Sequence, residues 1–217
     1  RDSSLRLVGS EMCIRDSNRI HIPAKEQHEN AFIHTIEFPG LGMLEAIPNG
    51  NAVHYAELLK ITDTLREAGR YSLRWPGWCA FWNPMKKLGF LGDVPIKGLH
   101  GEVSPLEMVA RLLEPQLQYN HDEKDLCVMV NRVEGVSKGR RQILTCSILI
   151  ERDLVTGLMA MSMGVAFPAC IAAEMIVKGE ITKKGVLSPA TDMSCDLFLE
   201  YLKKRGIEVN ETIEQPI

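Results

Sequence analysis

The 217 residues carry 25 basic and 28 acidic side chains, for a net charge of −3, and are 45% apolar and 24% charged. This is the balance of an ordinary globular chain and excludes a disordered, collagenous or disulfide-stapled one. Charges of both signs are interspersed rather than gathered in blocks, so no nucleic-acid-binding surface is expected.

The chain opens at Arg1, its first methionine is Met12, and no basic flank precedes an apolar stretch long enough for a signal peptide; it reads as truncated at its N-terminus. Residues 1–17 begin and end with one tripeptide, Arg1-Asp2-Ser3 and Arg15-Asp16-Ser17, and resemble a translated sequencing adapter. They are set aside as a non-native segment. The cysteines at 13, 79, 127, 146, 170 and 195 form no C-x-x-C pair and lie mostly in apolar runs, which fits a reducing, cytoplasmic setting. The histidines at 21, 28, 34, 54, 100 and 121 never recur at the i, i+4 spacing that puts two imidazoles on one helix face, so no metal is expected.

Asn30 to Phe38 alternates apolar and polar side chains and predicts a half-buried strand; a glycine turn and a second short strand, Leu44 to Ile47, follow. Pro48-Asn49-Gly50-Asn51 is a turn cluster, and Ala52 to Leu59 reads as a helix. Arg70 to Trp75 alternates again and stops at Pro76-Gly77, after which Trp78, Phe81, Trp82, Met85 and Leu88 recur at helical steps. Residues 91–103 read as loop, and Ser104-Pro105 opens a helix as N-cap and N1 that should run to about Gln118.

Asp125 to Val133 and Arg140 to Glu151 predict an antiparallel pair joined through the polar connector Glu134 to Gly139. Leu158 to Val177 carries a single charge, Glu174, and by length could be mistaken for a membrane span. A carboxylate deep in the run is costly in lipid, so two buried core helices bent at Gly164 and Pro168 are expected instead, with no membrane partner. Thr191 to Arg205 predicts a last amphipathic helix ended by Gly206, and Ile207 to Ile213 a closing strand.

Gly40-Leu41-Gly42-Met43-Leu44-Glu45 begins like a dinucleotide fingerprint but places Glu45 where a third glycine would let a helix pack closely. Pro48 also lacks the N–H that an interior helix position needs. Arg74 stands at a strand end between Leu73 and Trp75, placed either to clasp a substrate carboxylate or to pair with an acidic neighbour. Trp75, Trp78, Phe81 and Trp82 supply four of the chain's thirteen aromatics (six Phe, four Tyr, three Trp) within eight positions, explained first by core packing and second by a cleft wall. Asp153 or Thr156 could cap the helix that follows them, or place polar groups at the mouth of a pocket floored by Met159, Ala160, Met161 and Met163.

Four segments taken together resemble the C-terminal region of the saccharopine dehydrogenase family: LEAIPNGNAVHYAEL (44–58), YSLRWPGWCAFWNPMKKLGFL (71–91), DEKDLCVMVNRVEG (122–135) and ERDLVTGLMAMSMGVAFPACIAAEMIVKGEITKKGVLSP (151–189). The resemblance implies an α+β fold, a mixed, largely antiparallel sheet with helices packed against it. It further implies residues 18–190 as the substrate and dimerisation domain, and 191–217 as a helix and strand returning toward a nucleotide-binding domain outside this chain. Members are NAD(P)-dependent oxidoreductases acting on C–N bonds of lysine-derived amino acids, and a homodimer is implied. On this reading NAD or NADP serves the full-length protein and none binds this fragment, which alone is inactive. The implied chemistry is hydride transfer from the amine-bearing carbon to a nicotinamide, the present domain closing over it to orient the amino-acid substrate and control water. Asn49, Arg74, Trp75, Asp153, Thr156, Met159 and Met161 are the candidate substrate-binding residues. The alternative is a non-catalytic, dimerising α+β interaction module.

Overall fold

A computed structural model describes residues 11–15, 17–23, 26, 29, 32–98 and 102–215. The chain divides into two compact units, Arg1–Gln118 and Tyr119–Ile217. Among the described residues every strand pairing is antiparallel, with helices packed on the sheets, which is the expected α+β class.

In the first unit, β1 (Glu11–Arg15) pairs with β2 (Asn18–Ile22). Part of the segment set aside in the sequence reading therefore forms a hairpin, whose Ile14 is buried against Val53 and Ala56. A three-stranded sheet follows, with β4 (Gly42–Pro48) between β3 (His34–Phe38) and β5 (Tyr71–Arg74). Asn30 and Ala31, the expected start of β3, lie outside the described residues. Pairing on both edges buries Leu44, Ala46, Ile47 and Pro48 of β4. The glycine pair at 40 and 42 is thus a turn feeding a strand, and no helix N-terminus opens there.

Helix α1 (Ala52–Leu58) is capped by Asn51, whose Oδ1 accepts from His54 N at 3.1 Å. Helix α2 spans Trp78–Lys87, and α3 (Pro105–Leu113) opens as expected, Ser104 Oγ accepting from Glu107 N at 3.2 Å. The latter ends sooner than Gln118, because Pro115 supplies no N–H to continue the ladder and a short 3₁₀ turn over Glu114–Gln116 takes its place.

In the second unit, β6 (Leu126–Ser137) and β7 (Arg140–Glu151) form a long hairpin, and β8 (Asn210–Glu214) adds to the far edge of β7. The expected six-residue connector shrinks to Lys138-Gly139. Both adopt positive φ, 51° and 76°, the geometry of a two-residue turn that matches strand twist, so pairing continues to Ser137 and Arg140.

The expected pair of bent helices is one helix, α4 (Ala160–Val177). Pro168 removes one backbone hydrogen bond, the one that the Gly164 carbonyl would accept, and packing compensates. At Gly164 the helix runs so close to the sheet that a Cβ would meet Cys127 Sγ at 3.2 Å. Nor is the helix buried all round: Ala160, Ile171 and Met175 are wholly buried, but Val165, Ile176 and Val177 are exposed. It remains long and apolar enough to cross a membrane by length and composition alone.

The expected tail helix also divides, into α5 (Pro189–Asp192) and α6 (Cys195–Lys204), because Met193 turns extended and Ser194 starts a new cap. Helix α6 packs on α4 through Tyr201 and Leu202, and β8 joins β7, so residues 191–215 belong to the compact second unit.

The start of α4 is held by Asp125, which is 8% exposed. Its carboxylate accepts from Ala160 N at 2.7 Å and from Met161 N at 3.1 Å. Asp125→Ala leaves these two N–H groups unpaired beside the core and should cost about 2 kcal/mol of unfolding free energy, against under ~1 kcal/mol for Thr156→Ala, read from urea denaturation of the two variants.

Candidate functional site

The first unit builds its candidate site where β5 hands over to α2. Glu45 of β4 stands opposite Arg74 in the β4–β5 register. Its carboxylate reaches past the strand end, accepting from Gly77 N at 2.7 Å and Cys79 N at 2.9 Å. Gly77, at φ 93°, has no side chain to cap the helix, so Glu45 does it from 32 residues away in sequence. Burial pushes the Glu45 carboxyl upward, but the Cys79 and Gly77 hydrogen bonds outweigh it and hold the group below its ordinary value. The Cys79 thiol is driven the other way, to about 11, by burial and then by Glu45, and is a poor nucleophile.

Arg74 is exposed, donates from Nη1 to the Leu73 carbonyl at 2.7 Å, and lies 5.2 Å from the Trp78 ring centroid. The sequence left open an acidic partner for this arginine. Its register partner across the strand pair, Glu45, is instead turned to the helix N-terminus. Trp75 is 55% and Phe81 54% exposed, so the aromatic run is not core. Cys79 alone of α2 is buried, and half-buried Trp82 meets Phe81 edge-on with centroids 5.0 Å apart and Trp78 at a tilt with centroids 5.7 Å apart. Asn49 sits at the other end of β5, where its amide donates to Ser72 Oγ and its N–H to the Arg70 carbonyl at 2.8 Å. It fastens β4 to β5 and does not join Arg74 and Trp75.

The second unit holds the remaining candidates. Asp153 is not a helix cap. Oδ1 accepts from Val155 N at 2.8 Å and Thr156 N at 3.3 Å, and Oδ2 from Thr156 Oγ1 at 2.6 Å. Asp153 N donates to Leu158 O at 2.9 Å, so the loop from 153 to 158 closes on itself before α4 begins. These bonds, the Thr156 hydroxyl's first among them, keep the Asp153 carboxyl below its ordinary range. The methionines divide by helix geometry: Met159 is half-buried, Met161 exposed, and Met163 and Ala160 belong to the core. They do not make one pocket floor.

Arg152, beside this loop, was not singled out in the sequence. Its Nη1 donates to the carbonyls of Asn120 and Glu123, both at 3.0 Å, tying the start of the unit to the end of β7. Glu45 and Asp125 were missed as well, since a carboxylate that caps a helix more than thirty residues away leaves no local spacing to find.

Residues 5–207 match the family model described as the saccharopine dehydrogenase C-terminal domain. The chain belongs to this family. It is 30% identical over 132 residues to the saccharopine dehydrogenase [NADP(+), L-glutamate-forming] of Schizosaccharomyces pombe, covering 60% of this chain and 28% of the relative. It is 25% identical over 232 residues to the mitochondrial alpha-aminoadipic semialdehyde synthase of Mus musculus, covering 80% of this chain and 25% of that one. The chain thus spans roughly a quarter of the length of these curated relatives. Its fold is similar to that of apo histidine-tagged saccharopine dehydrogenase (L-Glu forming) from Saccharomyces cerevisiae, with a TM-score of 0.77 at 16% identity over 97% of this chain and 60% of that structure.

The Glu45 cap carries a pH dependence of definite sign. Its carboxyl titrates lower when folded than its ordinary 4.5, so the folded state binds fewer protons and the stabilisation is present above that value. It is lost as pH falls through the folded value. Urea midpoints measured from pH 7 to pH 3 should fall less steeply for Glu45→Gln than for the unaltered chain, with the two curves converging at the acid end.

Proposed function

We propose that this chain is the substrate-covering and dimerising part of an NAD(P)-dependent oxidoreductase acting on C–N bonds of lysine-derived amino acids, of the saccharopine or lysine dehydrogenase kind. The family match over residues 5–207 carries the reading, and relatives whose names state saccharopine dehydrogenase and NADP(+) support the class. The nucleotide is held elsewhere in the full-length protein. The glycine-rich segment of this chain does not fit one, since Gly42–Pro48 is a doubly paired strand and Glu45 would set a carboxylate against a pyrophosphate. This part alone does not turn over substrate.

Arg74 is the group in this chain that best suits an amino-acid substrate. It is exposed and stacked on Trp78, and the competing positive end of α2 is already occupied by Glu45. Its guanidinium is free to form a two-pronged contact with a carboxylate, and Trp75 beside it offers an apolar wall. The loop closed by Asp153 and Thr156 is preorganised, with its polar groups turned inward, so its part is to fix the entry to α4. The full-length protein works as a homodimer, and this chain supplies the subunit contact.

In the full-length gene product, Arg74→Ala should lower kcat/KM for saccharopine or lysine oxidation about 10- to 100-fold, mostly through KM, as expected for loss of one charged hydrogen-bonded contact. NAD(P) titrated into the 217-residue chain should give no binding heat. Tight binding there would refute the division of labour. A full-length product that has no glycine-rich nucleotide fingerprint and is inert toward NAD(P) would favour the non-catalytic module.

A further inference from the structure

The sheet of the second unit ends in an unguarded strand. β6 is at the edge of the order β6-β7-β8, and its register with β7 runs one-to-one from Leu126↔Glu151 to Ser137↔Arg140 without a bulge. Every residue from Asn131 to Ser137 is exposed, and none is proline. A long, regular, open edge is the template on which another strand adds, and stable proteins cover it or break it.

The side chains on this edge are self-complementary. Arg132 and Glu134 share one face of the sheet, where Arg132 Nη2 lies 3.5 Å from Glu134 Oε2 and Arg141 Nε of β7 donates to Glu134 Oε1 at 2.6 Å, leaving Oε2 the oxygen turned to the edge arginine. Val133 faces the other side, aligned through β7 with Leu144 and through β8 with Ile213. Val133 is 61% and Ile213 58% exposed, an apolar row that stops at the open edge.

We propose that β6 pairs antiparallel with β6 of a second copy of this chain about a two-fold axis through Val133, making one six-stranded sheet across the dimer. This rests on the homodimer reading above and gives it a surface and a register. With Val133 opposite its own copy, Arg132 of each chain faces Glu134 of the other, and Val130 faces Val136. The apolar row then runs unbroken from Ile213 of one chain to Ile213 of its copy. No other centre does this. Centring on Arg132 or Glu134 sets like charges directly opposite, which is unfavourable, and centring on Asn131 leaves both charges facing valines. A slip of one residue would place the Val133 row against the charged face.

Charge reversal tests the register. Arg132→Glu alone makes every interchain pair acidic and Glu134→Arg alone makes every one basic, so each variant should sediment as a monomer at concentrations where the unaltered chain is a dimer, a loss of at least tenfold in association. Mixing the two variants should restore a dimer, because every interchain pair is then opposite in sign. The double variant R132E/E134R should dimerise by itself. Circular dichroism checks that the variants are folded. Under mild oxidation Val133→Cys should give a 133–133 cross-link, mapped by peptide mass, while Val136→Cys should not cross-link to itself. A dimer indifferent to these charges, or lacking that cross-link, overturns the β6 surface and leaves the homodimer reading standing. A monomeric unaltered chain overturns both.

Discussion

A helix that starts at the edge of a core must find acceptors for its first N–H groups, and in the second unit one buried carboxylate meets that demand. Asp125 lies immediately before β6 and accepts from the first two residues of α4, 35 and 36 positions later. The bonds join the first strand of the hairpin to the helix that covers it, across the whole of β7. They also set where α4 begins, and with it which of its residues face the sheet. With Ala160 fixed at the start, Met163, Ile171 and Met175 fall on the packed side and Gly164 comes to lie against Cys127. The carboxylate is acceptable under the protein because it is hydrogen-bonded; without those amides a buried charge would be a large cost.

The first unit repeats the device with a different consequence. Glu45 caps α2 from a neighbouring strand, so the helix terminus brings no spare positive potential to the surface around Trp75. What remains there is the charge of Arg74, held in place by the Leu73 carbonyl and the Trp78 ring rather than by an acidic partner. An arginine ordered by its own strand and an aromatic face keeps its outward N–H groups for a ligand, whereas one committed to a carboxylate would have to break an ion pair first.

Regular local patterns were legible in the sequence, and interactions between distant segments were not. Alternation located the β6–β7 hairpin and the strand before Pro76, and the Ser104-Pro105 pair marked the start of α3. The fold class followed from the resemblance carried by the motifs. The role of Asp153 was misread because an acidic residue shortly before a helix is the usual cap, yet its short side chain is used up within its own loop. The aromatic run was misread for a related reason. Hydrophobicity at helical spacing says that a face is apolar without saying what covers it, and Trp75, Trp78 and Phe81 are open to solvent here. The candidate site was accordingly half legible. Arg74 and Trp75 are exposed neighbours at the end of β5, while Asn49 is a fastening between strands and the methionines split between core and surface.

The same distinction governs α4. Its run of apolar residues could mean a membrane span, a buried core helix or a helix with one partner on each side, and composition cannot choose among them. The structure shows one side packed on β6, β7 and α6. The polar cluster at its C-terminal end weighs on the same question. Glu174 bonds Arg205 at 2.6 Å and Lys178 at 2.7 Å, while Tyr201 accepts from Lys178 and donates to Glu180. The lysine's own titration is displaced upward by the Glu174 and Tyr201 hydrogen bonds, and the carboxyl's downward by Lys178 and Arg205. The bonds to Tyr201 and Arg205 reach α6 and its end, a geometry that requires α6 to lie alongside. A helix pulled into lipid would have to surrender its bonds to Arg205 and Tyr201, whereas one remaining on the sheet keeps them.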